Sequence, residues 1–151
     1  MPVLGKKSLE TLKGVHPDLV EVIKESIKEC PVDFTVFSGV RTLAEQKHLY
    51  SLGRTVKNPD GYDKVKKPLG NIVTKADGVK TKSNHQVKAD GLGHAVDLVP
   101  YIDGKLDWNT TANYKIISAH ILATAKCLGI NVAWGGNFKS FVDYPHFELK
   151  K

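Results

Sequence analysis

Two distant stretches of the chain carry residue types that bind transition metals and move protons. One stretch places His85 and Asp97 on either side of a glycine-bearing turn, and the other places Asp143 three residues before His146. Two imidazoles and one carboxylate can hold a zinc ion that keeps an open position for water. A further carboxylate beside such an ion can serve as a general base. The pattern therefore predicts a zinc hydrolase.

Side-chain alternation along a β-strand indicates which histidine accompanies Asp97. In the apolar run around this residue, Asp97 would face one side of the strand and His94 the other, unless a local bulge reverses the facing. This favours His85 over His94 as the metal partner. Near the C-terminus, the same alternation puts His146 and Glu148 on one face, which makes His146 the third ligand.

Hydrolysis also needs a base and a group that stabilises negative charge. Zinc lowers the pKa of its water from about 16 toward about 7, but a base must still take the proton. Asp143 is close enough in sequence to His146 to lie beside the ion without binding it, and Glu148 is the alternative base. Arg41 would stabilise charge on a scissile carbonyl, a contribution of up to about 3 kcal/mol. The plain alternatives are a surface ion pair for Arg41 and an exposed loop position for His85.

Helical and strand patterns occur in the order expected of an α+β fold with an antiparallel sheet. Helical spacing of apolar residues predicts helices, and runs of β-branched and aromatic residues predict strands. The helices are predicted over residues 8–15, 17–29 and 111–128, and the strands over 33–37, 130–134, 138–142 and 146–149.

A further helix begins at a capping box formed by Thr42 and Glu45, which satisfy each other's free backbone donors. The cap holds Arg41 on a fixed corner between a strand and this helix. Gln46, one turn further on, can share the same side of the helix end. Three residues of the helix are expected to face inward and a glycine to cap its end: Leu43, Leu49, Tyr50 and Gly53.

Residues 54–82 are rich in Gly, Pro, Asp and Lys and show only a short strand pattern at 70–74. A connection of this length in a small domain is usually functional or mobile. We interpret it as the rim of the binding cleft, with a surface loop as the alternative.

Composition fits one globular domain: 151 residues, 41% hydrophobic and 25% charged. No apolar run approaches the roughly 18 residues of a membrane span, and the N-terminus lacks the apolar core of a secretion signal. We therefore expect a protein made in soluble form in the cytoplasm, and we also expect a monomer. The net charge of +6 indicates an anionic partner such as nucleic acid, an anionic membrane or a bacterial cell wall. Cys30 and Cys127 lie in apolar helical patterns and are predicted to be buried free thiols.

These residues resemble the zinc D,D-carboxypeptidase and L-alanyl-D-glutamate peptidase family of bacterial cell-wall hydrolases, particularly small phage endolysins. The resemblance covers most of the chain. It rests on the SxH…GxAxD pattern at residues 83–85 and 93–97, the final motif DYPHF at 143–147, and segments 38–42 with Gln46 and 49–55.

The resemblance implies a role for each residue. His85, Asp97 and His146 would bind Zn²⁺, Asp143 would be the general base, and Arg41, Gln46 and Ser83 would hold substrate or polarise its carbonyl. It also implies a Hedgehog/D,D-peptidase-like single domain over residues 1–151, with a small antiparallel sheet flanked by helices. Seven residues, 86–92, separate the histidine from the glycine of the first motif, a longer loop than the family usually has.

The implied activity is cleavage of the L-alanyl-D-glutamate bond of the peptidoglycan stem peptide during phage lysis, once the inner membrane is breached. The nearest alternative is a D-alanyl-D-alanine carboxypeptidase of the same family. A metal-dependent nuclease could use His85, His94 and Asn84, but it needs a ββα metal motif that the glycine-rich path after His85 does not resemble. A non-catalytic wall-binding module is the third alternative. We expect neither a nucleic-acid partner nor membrane insertion.

Overall fold

An antiparallel sheet with helices on one face forms the frame of the computed structural model, which describes residues 4–52, 74, 76, 82–139 and 142–150. The helices are α1 (Lys6–Thr11), α2 (Pro17–Glu29), α3 (Leu43–Ser51) and α4 (Thr111–Leu128). The strands are β1 (Phe34–Ser38), β2 (Ala95–Ile102), β3 (Lys105–Leu106), β4 (Val132–Trp134) and β5 (His146–Leu149), with a 3₁₀ turn at Gly135–Asn137. This arrangement confirms the α+β class.

The strand order is β1-β2-β5-β4, and β3 adds a short pairing to the far end of β2. All the pairings are antiparallel, and the register places Asp97 of β2 directly opposite His146 of β5. Ser38 of β1 also pairs with Asp97, after an irregularity that follows Val36. Directly opposite residues have Cβ atoms about 4.5–5.5 Å apart, so the register alone brings two predicted ligands together.

The hydrophobic core lies between one face of the sheet and helices α2 and α4. On β2 and β5, Val96, Leu98 and Phe147 belong to this core, so Asp97 and His146, at alternate positions, face the other side. The helices contribute residues at helical spacing: Leu19, Val22, Ile23 and Ile27 from α2, and Tyr114, Ile117, Ile121 and Ala125 from α4. The packing of these core residues thus fixes the two strands that carry Asp97 and His146.

Helices α2 and α4 have the predicted bounds, 17–29 and 111–128, whereas α1 differs. It ends at Thr11, four residues before the predicted end, and Gly14 in the following turn has φ +83°. Val15 then forms a parallel bridge with Gly93. The backbone turns here because residue 15 pairs with the segment that precedes β2.

Helix α3 has the predicted capping box, with both the Thr42 and the Glu45 bonds present. The prediction for its buried face was wrong in one respect: Leu43 is 45% exposed, whereas Gln46 is fully buried. The side chain of Gln46 is buried because its amide has partners: its oxygen accepts from Arg41 and its nitrogen donates to the Ala76 carbonyl. Gly53, its predicted cap, lies outside the described residues.

Some strand predictions differ from the structure. Strand β4 begins at Val132 rather than at residue 130, and Phe138, Lys139 and Val142 are not in a strand. The predicted strand at 70–74 lies outside the described residues except for Thr74, which has no regular structure.

Both cysteines are free, as predicted, but only Cys30 is buried. The predicted burial of Cys127 was wrong because its position on α4 faces away from the core. Among the described residues, no helix is both long and apolar enough to cross a membrane.

Gly135 allows the segment before β5 to approach β4 closely. The Asp143 amide donates to the Gly135 carbonyl at 3.0 Å. A Cβ atom at position 135 would overlap the Asp143 carbonyl oxygen and would lie 2.9 Å from the His146 Cβ. Position 135 therefore has no room for a side chain.

We expect Gly135→Ala to lower the free energy of unfolding by about 1–3 kcal/mol, because the Asp143 segment must move to admit the methyl group. Urea unfolding at equilibrium measures this. Gly5→Ala is the control, since a Cβ there meets nothing within 4 Å and φ is −70°. Equal unfolding midpoints for the two variants would contradict the close approach.

Candidate metal centre and active-site cleft

Three side chains from separate parts of the chain converge on the polar face of the sheet. His85 Nε2 lies 3.3 Å from Asp97 Oδ1, and His146 Nδ1 lies 3.6 Å from the same oxygen. The two ring nitrogens are 3.2 Å apart. The edges of a tetrahedral zinc site are about 3.3 Å for bonds of about 2.0–2.1 Å, so these three atoms fit three corners of such a site.

The other nitrogen of each imidazole has a partner that fixes the tautomer. His85 Nδ1 lies 2.8 Å from the Gly39 carbonyl oxygen, which can only accept, so Nδ1 carries the proton. His146 Nε2 lies 2.6 Å from Glu148 Oε1 and donates to that carboxylate. The nitrogens that face Asp97 are thus free to act as ligands, as is common for histidines that bind zinc.

Asp97 uses its two oxygens differently. Its Oδ2 accepts from the Ser38 hydroxyl at 2.8 Å and from Arg41 at 3.1 Å. Its Oδ1 is buried and has no hydrogen-bond partner in the described part of the chain. Two imidazole lone pairs and one carboxylate oxygen therefore face one another with no donor between them. Such an arrangement needs positive charge, which a proton or a metal ion can supply, and this donor set suits zinc.

The pKa values of Asp97 and His146 also indicate that this group of side chains favours positive charge. Burial raises the pKa of Asp97, but His85, His146 and Arg41 outweigh it and hold the pKa well below the usual value. Burial lowers the pKa of His146, while hydrogen bonds to Asp97 and Glu148 raise it to a net value of about 9. Without a metal ion, a proton on His146 would supply the charge.

Arg41 is held beside Asp97 by several contacts. Its NH1 donates to Gln46 Oε1 at 3.2 Å, and its backbone amide donates to the His85 carbonyl at 2.8 Å. Gln46 in turn donates to the Ala76 carbonyl at 2.8 Å. The geometry gives fully buried Gln46 a positioning role, while Arg41 lines the cleft. Contact of either residue with substrate stays a prediction.

Asp143 lines a cleft of about 1030 Å³ together with Arg41 and Asp97. Burial and the nearby charge of Asp97 raise the pKa of Asp143. This shift suits a carboxylate that must accept a proton near neutral pH. The exposed rings of Phe37 and Trp108 meet edge to face along the same cleft, with centroids 4.7 Å apart.

Ser83 and Glu148 have local roles that the sequence did not reveal. The Ser83 hydroxyl accepts from the His85 amide at 3.1 Å, which stabilises the turn carrying that ligand. Glu148 Oε2 accepts from Asn84 at 2.8 Å while Oε1 binds His146, so the geometry disfavours Glu148 as the base. The spacing of two residues from His146 on a strand could have indicated this role. Substrate binding by Ser83 stays a prediction.

Known proteins are similar to this chain in sequence and fold. The family model for the phage L-alanyl-D-glutamate peptidase matches residues 2–150. The L-alanyl-D-glutamate peptidase of Escherichia phage T5 is 30% identical over 148 residues, 97% of this chain and 88% of that protein. The peptidoglycan L-alanyl-D-glutamate endopeptidase CwlK of Bacillus subtilis is 31% identical over 143 residues, 89% of this chain and 73% of that protein.

A solved structure is also similar to this chain in fold and sequence. The L-Ala D-Glu endopeptidase ChiX of Serratia marcescens superposes with a TM-score of 0.71 at 31% identity, covering 99% of this chain and 90% of that one. Sequence and fold therefore agree over nearly the whole length of the chain. The chain belongs to the phage L-alanyl-D-glutamate peptidase family.

Proposed function

We propose that this protein is a zinc-dependent peptidoglycan hydrolase that cleaves the L-alanyl-D-glutamate bond of the stem peptide. One observation carries the proposal: two imidazole nitrogens converge on a buried carboxylate oxygen that has no hydrogen-bond partner among the described residues, beside a cleft that also holds a second carboxylate. The family and the named activities of its relatives support the choice of substrate and bond.

In this proposal, His85 Nε2, Asp97 Oδ1 and His146 Nδ1 would hold a zinc ion. A bound zinc ion would act as a Lewis acid that lowers the pKa of water and polarises a peptide carbonyl. The protein's own contribution is to bind the outer nitrogen of each ring, so that the other nitrogen is aimed inward. The Gly39 carbonyl does this for His85, and Glu148 does it for His146.

Asp143 is the general base of the proposed reaction. Its raised pKa favours uptake of the proton from the attacking water, which it can then pass to the leaving amine. Arg41 holds Asp97 in place and brings positive charge to the cleft, where a carbonyl oxygen gains negative charge in the transition state.

The overall charge fits an anionic wall polymer as the partner. A net charge of +6 raises the local concentration of the protein at such a surface and does not require a nucleic acid. We further propose that the protein acts as a monomer, because the three ligands and Asp143 all come from one chain.

We predict that Asp143→Asn lowers kcat/KM by about 10²–10⁴-fold, because the amide cannot accept the proton. Release of soluble fragments from purified peptidoglycan measures the activity. Zinc content, measured on the same sample, should equal that of the wild type, since Asp143 is not a ligand. Asp103→Asn, in an exposed turn, is the control. Near-normal hydrolysis by Asp143→Asn would rule out the base assignment.

Glu148→Gln should weaken zinc binding by about 10–100-fold, because the neutral amide orients His146 less strongly and lowers its basicity. Competition against a chelator of known affinity measures the loss. Glu21→Gln, at an exposed position of α2, provides the matched control. Unchanged zinc affinity in Glu148→Gln would mean that the carboxylate has no influence on the site.

The bond is identified by digesting purified peptidoglycan and assigning the new termini by mass spectrometry. We expect a new C-terminal L-alanine and a new N-terminal D-glutamate. Release of free D-alanine from otherwise intact stems would instead identify a D-alanyl-D-alanine carboxypeptidase and overturn the proposed specificity.

A further inference from the structure

A second group of metal-binding side chains lies outside the proposed active site. It consists of His16, Asp90 and His94, each offering one ligand atom, and these atoms all lie within 4.8 Å of one another. His16 is the N-cap of α2, Asp90 lies in the loop that follows His85, and His94 immediately precedes β2. None of the three takes part in the proposed hydrolysis.

The loop that carries Asp90 is closed on itself. The Lys88 amide donates to the Leu92 carbonyl at 2.9 Å, and the Gly91 amide donates to the Lys88 carbonyl at 2.9 Å. Asp90 Oδ1 accepts from the Leu92 amide at 3.0 Å. The other oxygen, Oδ2, lies 2.6 Å from His94 Nε2, so the carboxylate is already directed at one of the imidazoles.

The two histidines are also held at a fixed spacing. The His16 amide donates to the Gly93 carbonyl, and the Gly93 amide donates to the Gly14 carbonyl, both at 2.9 Å. The two rings meet edge to face with centroids 5.2 Å apart. His94 is only 8% exposed. Backbone bonds thus place both imidazoles next to one carboxylate before any ligand arrives.

We propose that His16, Asp90 and His94 form a second binding site for a divalent transition-metal ion of the zinc type. Two imidazoles and a carboxylate suit such an ion, whereas calcium and magnesium prefer oxygen ligands. The ion would fasten the loop 86–92 to the start of α2. His85 precedes this loop directly, but none of the three residues belongs to the first group, and hydrolysis does not require the second ion.

Metal binding at this site changes two hydrogen bonds. His94 Nε2 must lose its proton to the solvent or to Nδ1 before it can bind the ion. His16 Nδ1 now accepts from the Asp18 amide at 3.1 Å. A metal on Nδ1 displaces that bond, and a metal on Nε2 moves the ring proton to Nδ1, so the cap bond is lost either way. The Asp18 amide therefore reports occupancy.

The test is a titration of the metal-free protein with zinc chloride, followed by calorimetry and by amide NMR. We expect two equivalents for the wild type and one for Asp90→Asn, with unchanged peptidoglycan hydrolysis in that variant. His94→Gln should also bind one equivalent. In the wild type, the second equivalent should shift the Asp18 amide resonance, an observation that needs no variant to fold.

Other outcomes separate this proposal from the proposed function. His146→Ala should lose hydrolysis and one equivalent but keep the Asp18 response. A wild type that binds one equivalent with no Asp18 shift would overturn the second site and leave the first intact. A wild type that binds one equivalent, lost in Asp90→Asn and kept in His146→Ala, would overturn the first site instead.

Discussion

The rest of the structure depends on the close approach of three electron-pair donors. These are His85 Nε2, Asp97 Oδ1 and His146 Nδ1. Three such atoms within 3.6 Å of one another repel unless a cation lies between them. Hydrophobic burial behind the sheet supplies the free energy that holds them there. Such a site favours metal binding, because folding has already brought the ligands together.

The two faces of the sheet have different roles, one in the core and one in the site. One face carries Val96 and Phe147 into the core with α2 and α4, and the other carries Asp97 and His146. Buried charges destabilise a fold unless they are paired, and here each has a partner. Arg41 binds Asp97, Glu148 binds His146, and the buried amide of Gln46 in α3 binds Arg41.

The surroundings of two carboxylates near the same cleft shift their pKa values in opposite directions. Positive neighbours keep the pKa of Asp97 low, which suits a permanent ligand, while burial and the charge of Asp97 raise the pKa of Asp143. Such divergence between neighbouring acids is how one site assigns different roles to the same side chain. Its physical basis is the position of each group relative to Arg41 and the imidazoles.

Periodicity in the sequence determined the bounds of α2 and α4, the capping box before α3, and the alternation that puts Asp97 and His146 on a face away from the core. These features depend on neighbours within a few residues, which local patterns record. The motifs at 83–97 and 143–147 also indicated the family. The burial of Gln46, the pairing of Glu148 with both His146 and Asn84, and the distances between the predicted ligands came only from the tertiary structure. Strand register and loop closure decide such contacts, and they depend on interactions between residues far apart in the chain.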